Sequence, residues 1–308
     1  DLSFGKAIKE DLISDYKILT AEITEDQIYE HIKKNELLDL EEFKKNNENY
    51  LALAKKIAHQ IVLFQAVENF KIRKIITFHS KIDRARNFIY SNKKTDNLSL
   101  EDIFNFFSIK NDIVNYSFKH LNAKDYSAEE RTTILNETFN FNELGVISNA
   151  KCLTEGIDVP IIDSIFFSDP KKSLIDIVQA CGRALRLPFN HKGGKMAYFI
   201  VPIIIPKNLN QKESIDEENF ETLYELVQAL RDLDFRMEDW IDAINLKATT
   251  GGGGGPGPID PGPIVVLPNN KVDVHKFKEK LILKIAEANS RPSTIFREPI
   301  NFGKGERK

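Results

Sequence analysis

Cysteine, tryptophan and methionine are scarce in this 308-residue chain: two cysteines, one tryptophan and two methionines. Two cysteines, Cys152 and Cys181, build neither a disulfide framework nor a four-ligand zinc site. They are expected as small buried residues in a reducing cytoplasm. No apolar run approaches the roughly 18 residues of a membrane span, so no membrane partner is expected. Charge of one sign is lacking as well. A formal net charge of -3 excludes a global nucleic-acid signature, so any such contact has to come from a local patch. The opening residues, Asp1-Leu2-Ser3-Phe4, are no signal peptide and include no initiating methionine, which points to a fragment or a processed chain. Two chemical signatures are missing too. The Gly193-Gly194-Lys195 turn lacks the spacing of a phosphate-cradling P-loop, and Asp216-Glu217-Glu218 has no apolar strand before it to place a carboxylate on magnesium.

What is present is a regular alternation of apolar runs and helical periodicity. Strands are expected at 16–23, 74–78, 113–118, 144–148, 164–168, 197–205 and 264–267. Pro202 marks the sixth as an edge or a strand end. Between them lie helical patterns at 1–13, across most of 24–70, at 82–90, around 100–107, after Ser127, across 174–187 and across 217–246. Ser127 with Glu130 forms a capping box. Strands alternating with helices predict a parallel sheet flanked by helices. The run of five glycines followed by Pro-Gly-Pro repeats in 248–263 reads as a linker.

One stretch concentrates polar chemistry. In the helix that Pro188 terminates, Leu174, Val178, Cys181 and Leu185 share one side at about 100° per residue. Gln179, Arg183 and Arg186, spaced by four and three, fall together on the other. Two permanent cations with forked donors suit a phosphate; a solvated surface with two ordinary arginines is the alternative. Ahead of this helix, Thr154, Glu155, Gly156, Asp158 and Pro160 punctuate a polar loop between two strands. His79-Ser80-Lys81 sits at the carboxyl end of the 74–78 strand, where open α/β sheets bind ligands. Ser80 and Lys81 suit backbone phosphates, whereas His79 suits a structural place.

Gln179-x-x-Gly182-Arg183-x-x-Arg186, preceded by Thr154-Glu155-Gly156-Ile157-Asp158-Val159-Pro160, resembles motifs VI and V of superfamily two helicases and translocases, of the DEAD/DEAH type. The 79–81 phrase resembles motif IV, and 120–131 the segment before motif V. More loosely, 5–17 resembles the lead-in from a first motor lobe, and 230–236 the helical extension of restriction- and phage-defence-associated helicases. The resemblance implies an α/β fold: the RecA-like C-terminal lobe of a two-lobed motor, with a helical C-terminal extension. It implies a lead-in at 1–70, the lobe at 71–208, the extension at 209–247, the linker at 248–263 and a tail at 264–308. It further implies ATP hydrolysis in a cleft between lobes. Arg186 is then the arginine finger, with Arg183 beside it and Gln179 positioning phosphate or water. Gly156, Asp158 and Gly182 face the nucleotide, and Thr154, Ser80 and Lys81 contact nucleic acid. ATP and Mg²⁺ are the implied cofactors, the metal held mainly by the first lobe. The implied partners are duplex DNA, that first lobe, and nuclease or methyltransferase modules of a cytoplasmic restriction system. Two rival classes stay open: a nucleic-acid- or partner-binding lobe without hydrolysis, and an unrelated α/β enzyme such as a sugar-nucleotide transferase.

Overall fold

The computed structural model describes residues 3–24, 47–91, 98–150, 161–169, 174–188, 194–205, 217–249 and 262–267, together with Leu281 and Ile285. Its frame is a seven-stranded sheet in which every recorded pairing is parallel. In chain order the strands are β1 (Asp15–Thr24), β2 (Lys74–Phe78), β3 (Tyr116–Asn122), β4 (Leu144–Ala150), β5 (Ser164–Phe167), β6 (Met196–Ile205) and β7 (Ile264–Val266). Across the sheet the order is β3-β4-β2-β5-β6-β1-β7. The helices are α1 (Phe4–Lys9), α2 (Asn47–Phe70), α3 (Ile82–Ile89), α4 (Leu100–Phe104), α5 (Ala128–Asn140), α6 (Leu174–Leu185), α7 (Glu217–Arg231) and α8 (Phe235–Thr249). This is the expected α/β class; α7 and α8 follow β6 and pack on the same core as the strands.

Successive strand residues face opposite sides of a sheet. Ile76, Ile147, Ile165 and Phe199 accordingly pack into one core, with α5, α6, α7 and α8. Ile75, Val146, Phe166 and Ile200 pack into a second, with α2, α3 and α4. A parallel sheet covered on both faces accounts for the nearly continuous apolar runs of β2, β4 and β5. The 24-residue α2 buries Ile57, Ala58, Val62, Phe64 and Val67, together with polar His59 and Gln60. No helix among the described residues is long and apolar enough to cross a membrane.

Three local expectations change. The third strand runs over Tyr116–Asn122 and not 113–118. Its polar end residues His120 and Asn122 looked like a connection, yet both are buried, opposite Ser148 and Ala150 of β4. Their side-chain hydrogen bonds make that burial tolerable. Pro202 lies inside β6, which is flanked by β5 and β1. It is tolerated because β5 pairs only as far as Ile200, leaving one side of β6 locally open. The pattern across 217–246 is interrupted at 232–234, where Asp234 replaces continued helix with a buried anchor. The Ser127–Glu130 capping box forms as expected.

Asp234 is fully buried and accepts hydrogen bonds from Tyr16 Oη (2.9 Å) and from Arg236 Nη2 (2.8 Å). Arg236 Nη2 also reaches Asp15 at 3.0 Å. Burial, reinforced by the Asp234 charge, pushes the Tyr16 hydroxyl far above its ordinary range, so it stays a donor. The cluster ties the α7–α8 turn to the start of β1. Asp234→Ala leaves the buried Tyr16 hydroxyl without its acceptor and the Arg236 guanidinium with Asp15 alone, at a cost of about 2 kcal/mol. Chemical denaturation of the variant is expected to show that loss.

Candidate functional site

Polar side chains gather at both ends of the strands. At the carboxyl edge, β2 runs out into His79, Ser80 and Lys81 and β5 into Ser168 and Asp169. The main chains are stitched together there: His79 N donates to Asn149 O (2.9 Å) and Ser168 N to Phe78 O (3.1 Å). The Asp169 carboxylate accepts from Ser80 N (2.7 Å), Ser80 Oγ (2.9 Å) and Arg84 Nη1 (2.9 Å). Burial works to raise the Asp169 carboxyl. The two Ser80 bonds, with the charge of Arg84, outweigh it and hold the carboxyl below its ordinary range. The Ser80 hydroxyl hydrogen is thus spent on Asp169, and the exposed candidate cation is Lys81, the N-cap residue of α3.

Beside it, β3 and β4 hold a closed hydrogen-bond chain. Ser148 Oγ donates to Ala85 O (2.7 Å), so it accepts from His120 Nδ1 (3.1 Å). His120 Nε2 is then the acceptor for Asn122 Nδ2 (3.1 Å), which also donates to Asp125 Oδ2 (2.9 Å). Arg86 closes the chain on Asp125 Oδ2 at 2.5 Å. Burial first, then the charge of Arg86, depresses His120 protonation, consistent with this neutral tautomer. His79 contacts Thr77 Oγ1 at 2.8 Å, and His59 contacts Ser168 Oγ at 3.1 Å. Burial is the largest cause in both rings. It pushes His59 down to about 3 and lowers His79 likewise. His79 is therefore a neutral structural group, as its poor fit to catalysis predicted.

The amino edge holds the arginine helix end. Helix α6 crosses back over the sheet, burying Ile177, Ala180, Cys181, Ala184 and Leu185. Gln179 is exposed, Gly182 and Arg183 are half-buried and Arg186 is exposed. The helix stops at Leu185, so Arg186 belongs to the exit turn and not to the helix proper; its N–H lies 3.4 Å from Arg183 O. Ser14, just before β1, donates from N (2.8 Å) and Oγ (3.1 Å) to Leu185 O. Lys195, just before β6, donates from Nζ to Ala184 O (2.7 Å) and Arg186 O (2.6 Å). These contacts fix the arginine end at the start of the strands, opposite the Ser80–Asp169 edge. A Cβ placed on Gly182 meets no heavy atom of the described residues within 4 Å, so among them open space adjoins Arg183.

Thr154, Gly156 and Asp158 lie outside the described residues. On one side of them β4 ends at the carboxyl edge. On the other the chain re-enters at the amino edge, where Asp163 accepts from Arg73 N (2.8 Å) and Lys74 N (3.0 Å). Burial lifts the Asp163 carboxyl to about 6. Sequence reasoning placed the arginines and Ser80–Lys81 but passed over Asp169, Arg84, Asp163, Ser14 and Lys195. Polar residues next to strand termini were the available signal; their partners are 89, 85 and 171 positions away in the contacts Ser80–Asp169, Arg84–Asp169 and Ser14–Leu185.

Residues 62–188 match the family described as the helicase conserved C-terminal domain. Among solved structures, the fold is similar to the ATP-dependent Type ISP restriction-modification enzyme LlaBIII bound to DNA. The TM-score is 0.64 at 24% identity, over 92% of this chain and 17% of that one. A fragment of a putative HsdR subunit of a type I restriction enzyme from Vibrio vulnificus YJ016 scores 0.43 at 13% identity, covering 66% of this chain and 39% of that one. T4 UvsW scores 0.39 at 14% identity, covering 72% and 40%. The last two scores carry no argument, and the first shows a shared fold. The chain spans 17% of the length of the LlaBIII chain. No curated protein matches it.

The buried histidines predict a pH response. Both rings are neutral when folded and protonate near pH 6.5 when unfolded. The unfolded chain therefore binds more protons, and stability is lost as pH falls below about 6.5. Each ring contributes a slope of up to about 1.4 kcal/mol per pH unit. Asp163, raised to about 6, pulls the other way, so the test is a difference. In denaturation curves between about pH 6 and 4.5, His59→Gln is expected to show a shallower decline than the parent.

Proposed function

We propose that this chain, whose residues 62–188 match the helicase conserved C-terminal domain, is the second RecA-like lobe of an ATP-driven DNA motor. The single observation supporting this most directly is the end of α6. There the exposed Gln179 and Arg186 and the half-buried Arg183 adjoin the open space at Gly182. An amide and two guanidiniums fit a polyphosphate: planar forks bind phosphate oxygens in pairs and keep their charge at any physiological pH.

ATP, when bound, supplies the phosphoryl group that is transferred to water. The chain's own residues act on its charge and position. Arg186, on the exit turn, neutralises negative charge that builds on the γ-phosphate oxygens. Arg183 shares that task from the last turn of α6, and Gln179 orients a phosphate oxygen or the attacking water. Asp158 accepts from the ribose hydroxyls, Gly156 admits the nucleotide close to the main chain, and Thr154 meets the nucleic-acid backbone. Lys81 and Ser80 do the same at the carboxyl edge, Ser80 by exchanging its bond to Asp169 for one to a phosphate. Among the described residues no group of three or more His, Cys, Asp or Glu side chains is arranged to hold a metal ion. Mg²⁺ is assigned to a first lobe carrying the P-loop and its acidic partner.

Duplex DNA is the substrate class we favour, and a cytoplasmic restriction or defence system, with nuclease or methyltransferase modules, is the setting. The fold shared with a restriction-modification enzyme bound to DNA supports both. A lobe that only binds nucleic acid or a partner has no need of both arginines, and their retention favours hydrolysis. A sugar-nucleotide transferase has no need of the helicase C-terminal pattern.

In the full-length parent protein, Arg186→Ala is expected to lower DNA-stimulated ATP hydrolysis by on the order of 10³-fold while ATP binding persists. Unchanged turnover would reduce the α6 arginines to a structural face. The isolated chain is expected to hydrolyse essentially no ATP, and measurable turnover from it would sink the division of labour between lobes.

A further inference from the structure

A helix leaves its last carbonyls without helical partners, and a glycine just past the end commonly lets the main chain satisfy them. Helix α6 has no such glycine: Arg186-Leu187-Pro188 follow it, and the next glycine is Gly193. Three successive carbonyls are satisfied from elsewhere instead. Lys195 Nζ takes Ala184 O at 2.7 Å and Arg186 O at 2.6 Å, and Ser14 takes Leu185 O through N (2.8 Å) and Oγ (3.1 Å). Gly194 delivers the lysine with φ of +85°, a left-handed conformation that side chains disfavour. Burial pushes the Lys195 ammonium down to about 8, and the half-buried Asp163 opposes that shift, so the charge survives at neutral pH. A cation at a helix carboxyl terminus is also favoured by the helix dipole.

We infer that Lys195, assisted by Ser14, is a positioning residue that pins the Arg183–Arg186 turn, so that Arg186 is preorganised for phosphate before ATP arrives. The inference rests on the proposed phosphate-facing role of Arg186. Gly194 and Lys195 thus serve the nucleotide without touching it. An unpinned turn leaves Arg186 free to wander, and a displacement on the order of 1 Å can cost a catalytic arrangement about 100-fold.

The test is ATP hydrolysis by the full-length parent in the presence of duplex DNA. Lys195→Met is expected to lower kcat about tenfold with KM for ATP held within about twofold, because the loss falls on the transition state. Lys195→Arg, which keeps a cationic donor, restores most of it. In the Arg186→Ala background, Lys195→Met adds no further loss, since a residue acting through Arg186 has nothing left to position. If the methionine variant does not fold, Lys195→Gln and Gly194→Ala carry the same comparison. Equal losses in both backgrounds, or no loss in the parent, overturn the inference about Lys195 while leaving Arg186 in place. Full turnover by Arg186→Ala instead removes the phosphate-facing role itself, and the inference falls with it.

Discussion

A parallel sheet buried on both faces leaves polar chemistry only two places to go, the two rows of strand ends. Ile76, Ile147 and Ile165 are sealed under α5, α6, α7 and α8, and Ile75, Val146 and Phe166 under α2, α3 and α4. Along the strands there is no water to solvate a charge, so every functional group has to emerge where the ladder stops. The rest of the molecule follows from that confinement.

The two edges solve the resulting problem differently. At the carboxyl edge, side chains neutralise one another: Asp169 with Arg84 and Ser80, Asp125 with Arg86 and Asn122, and the histidines as uncharged spacers. The edge is polar, with its carboxylates paired to neighbouring guanidiniums. At the amino edge, donors are aimed at main-chain carbonyls, and Arg186 is an exposed residue. One edge thus pairs its charges among side chains, while the other directs its donors to the main chain. Helix α6, whose 12 residues span about 18 Å, sets the distance between them.

The α7–α8 turn is joined to the same amino edge. Ser14, Asp15 and Tyr16 are consecutive: the first holds the end of α6, and the next two hold Arg236 and Asp234 of the α7–α8 turn. The α7–α8 turn and the arginine turn are thus both anchored on three residues of one strand entrance. Lys195 and Asp163 form a second entrance, tying β6 and the start of β2 to the same place.

How much of this was legible depended on the range of the interaction. Periodicity located β2 at its observed bounds and β4 and β5 to within two residues, because burial on both faces writes an apolar run into each strand. The Ser127 cap was legible because both its partners lie within one turn. The face carrying Gln179 and Arg183 followed from helical spacing alone. Strand β3 was misplaced because His120 and Asn122 look like loop residues until Ser148 and Asp125 are beside them. The break before Asp234 was hidden because its partner, Tyr16, lies 218 positions away. By itself, then, the sequence determined the parallel α/β class, the helix carrying the arginines and the helicase resemblance, all products of local spacing. The tertiary structure alone decided which edge each group occupies and which donors hold Arg186. Those depend on where separate strands begin and end, as when Ser14 reaches Leu185 across 171 positions, and no local pattern records that.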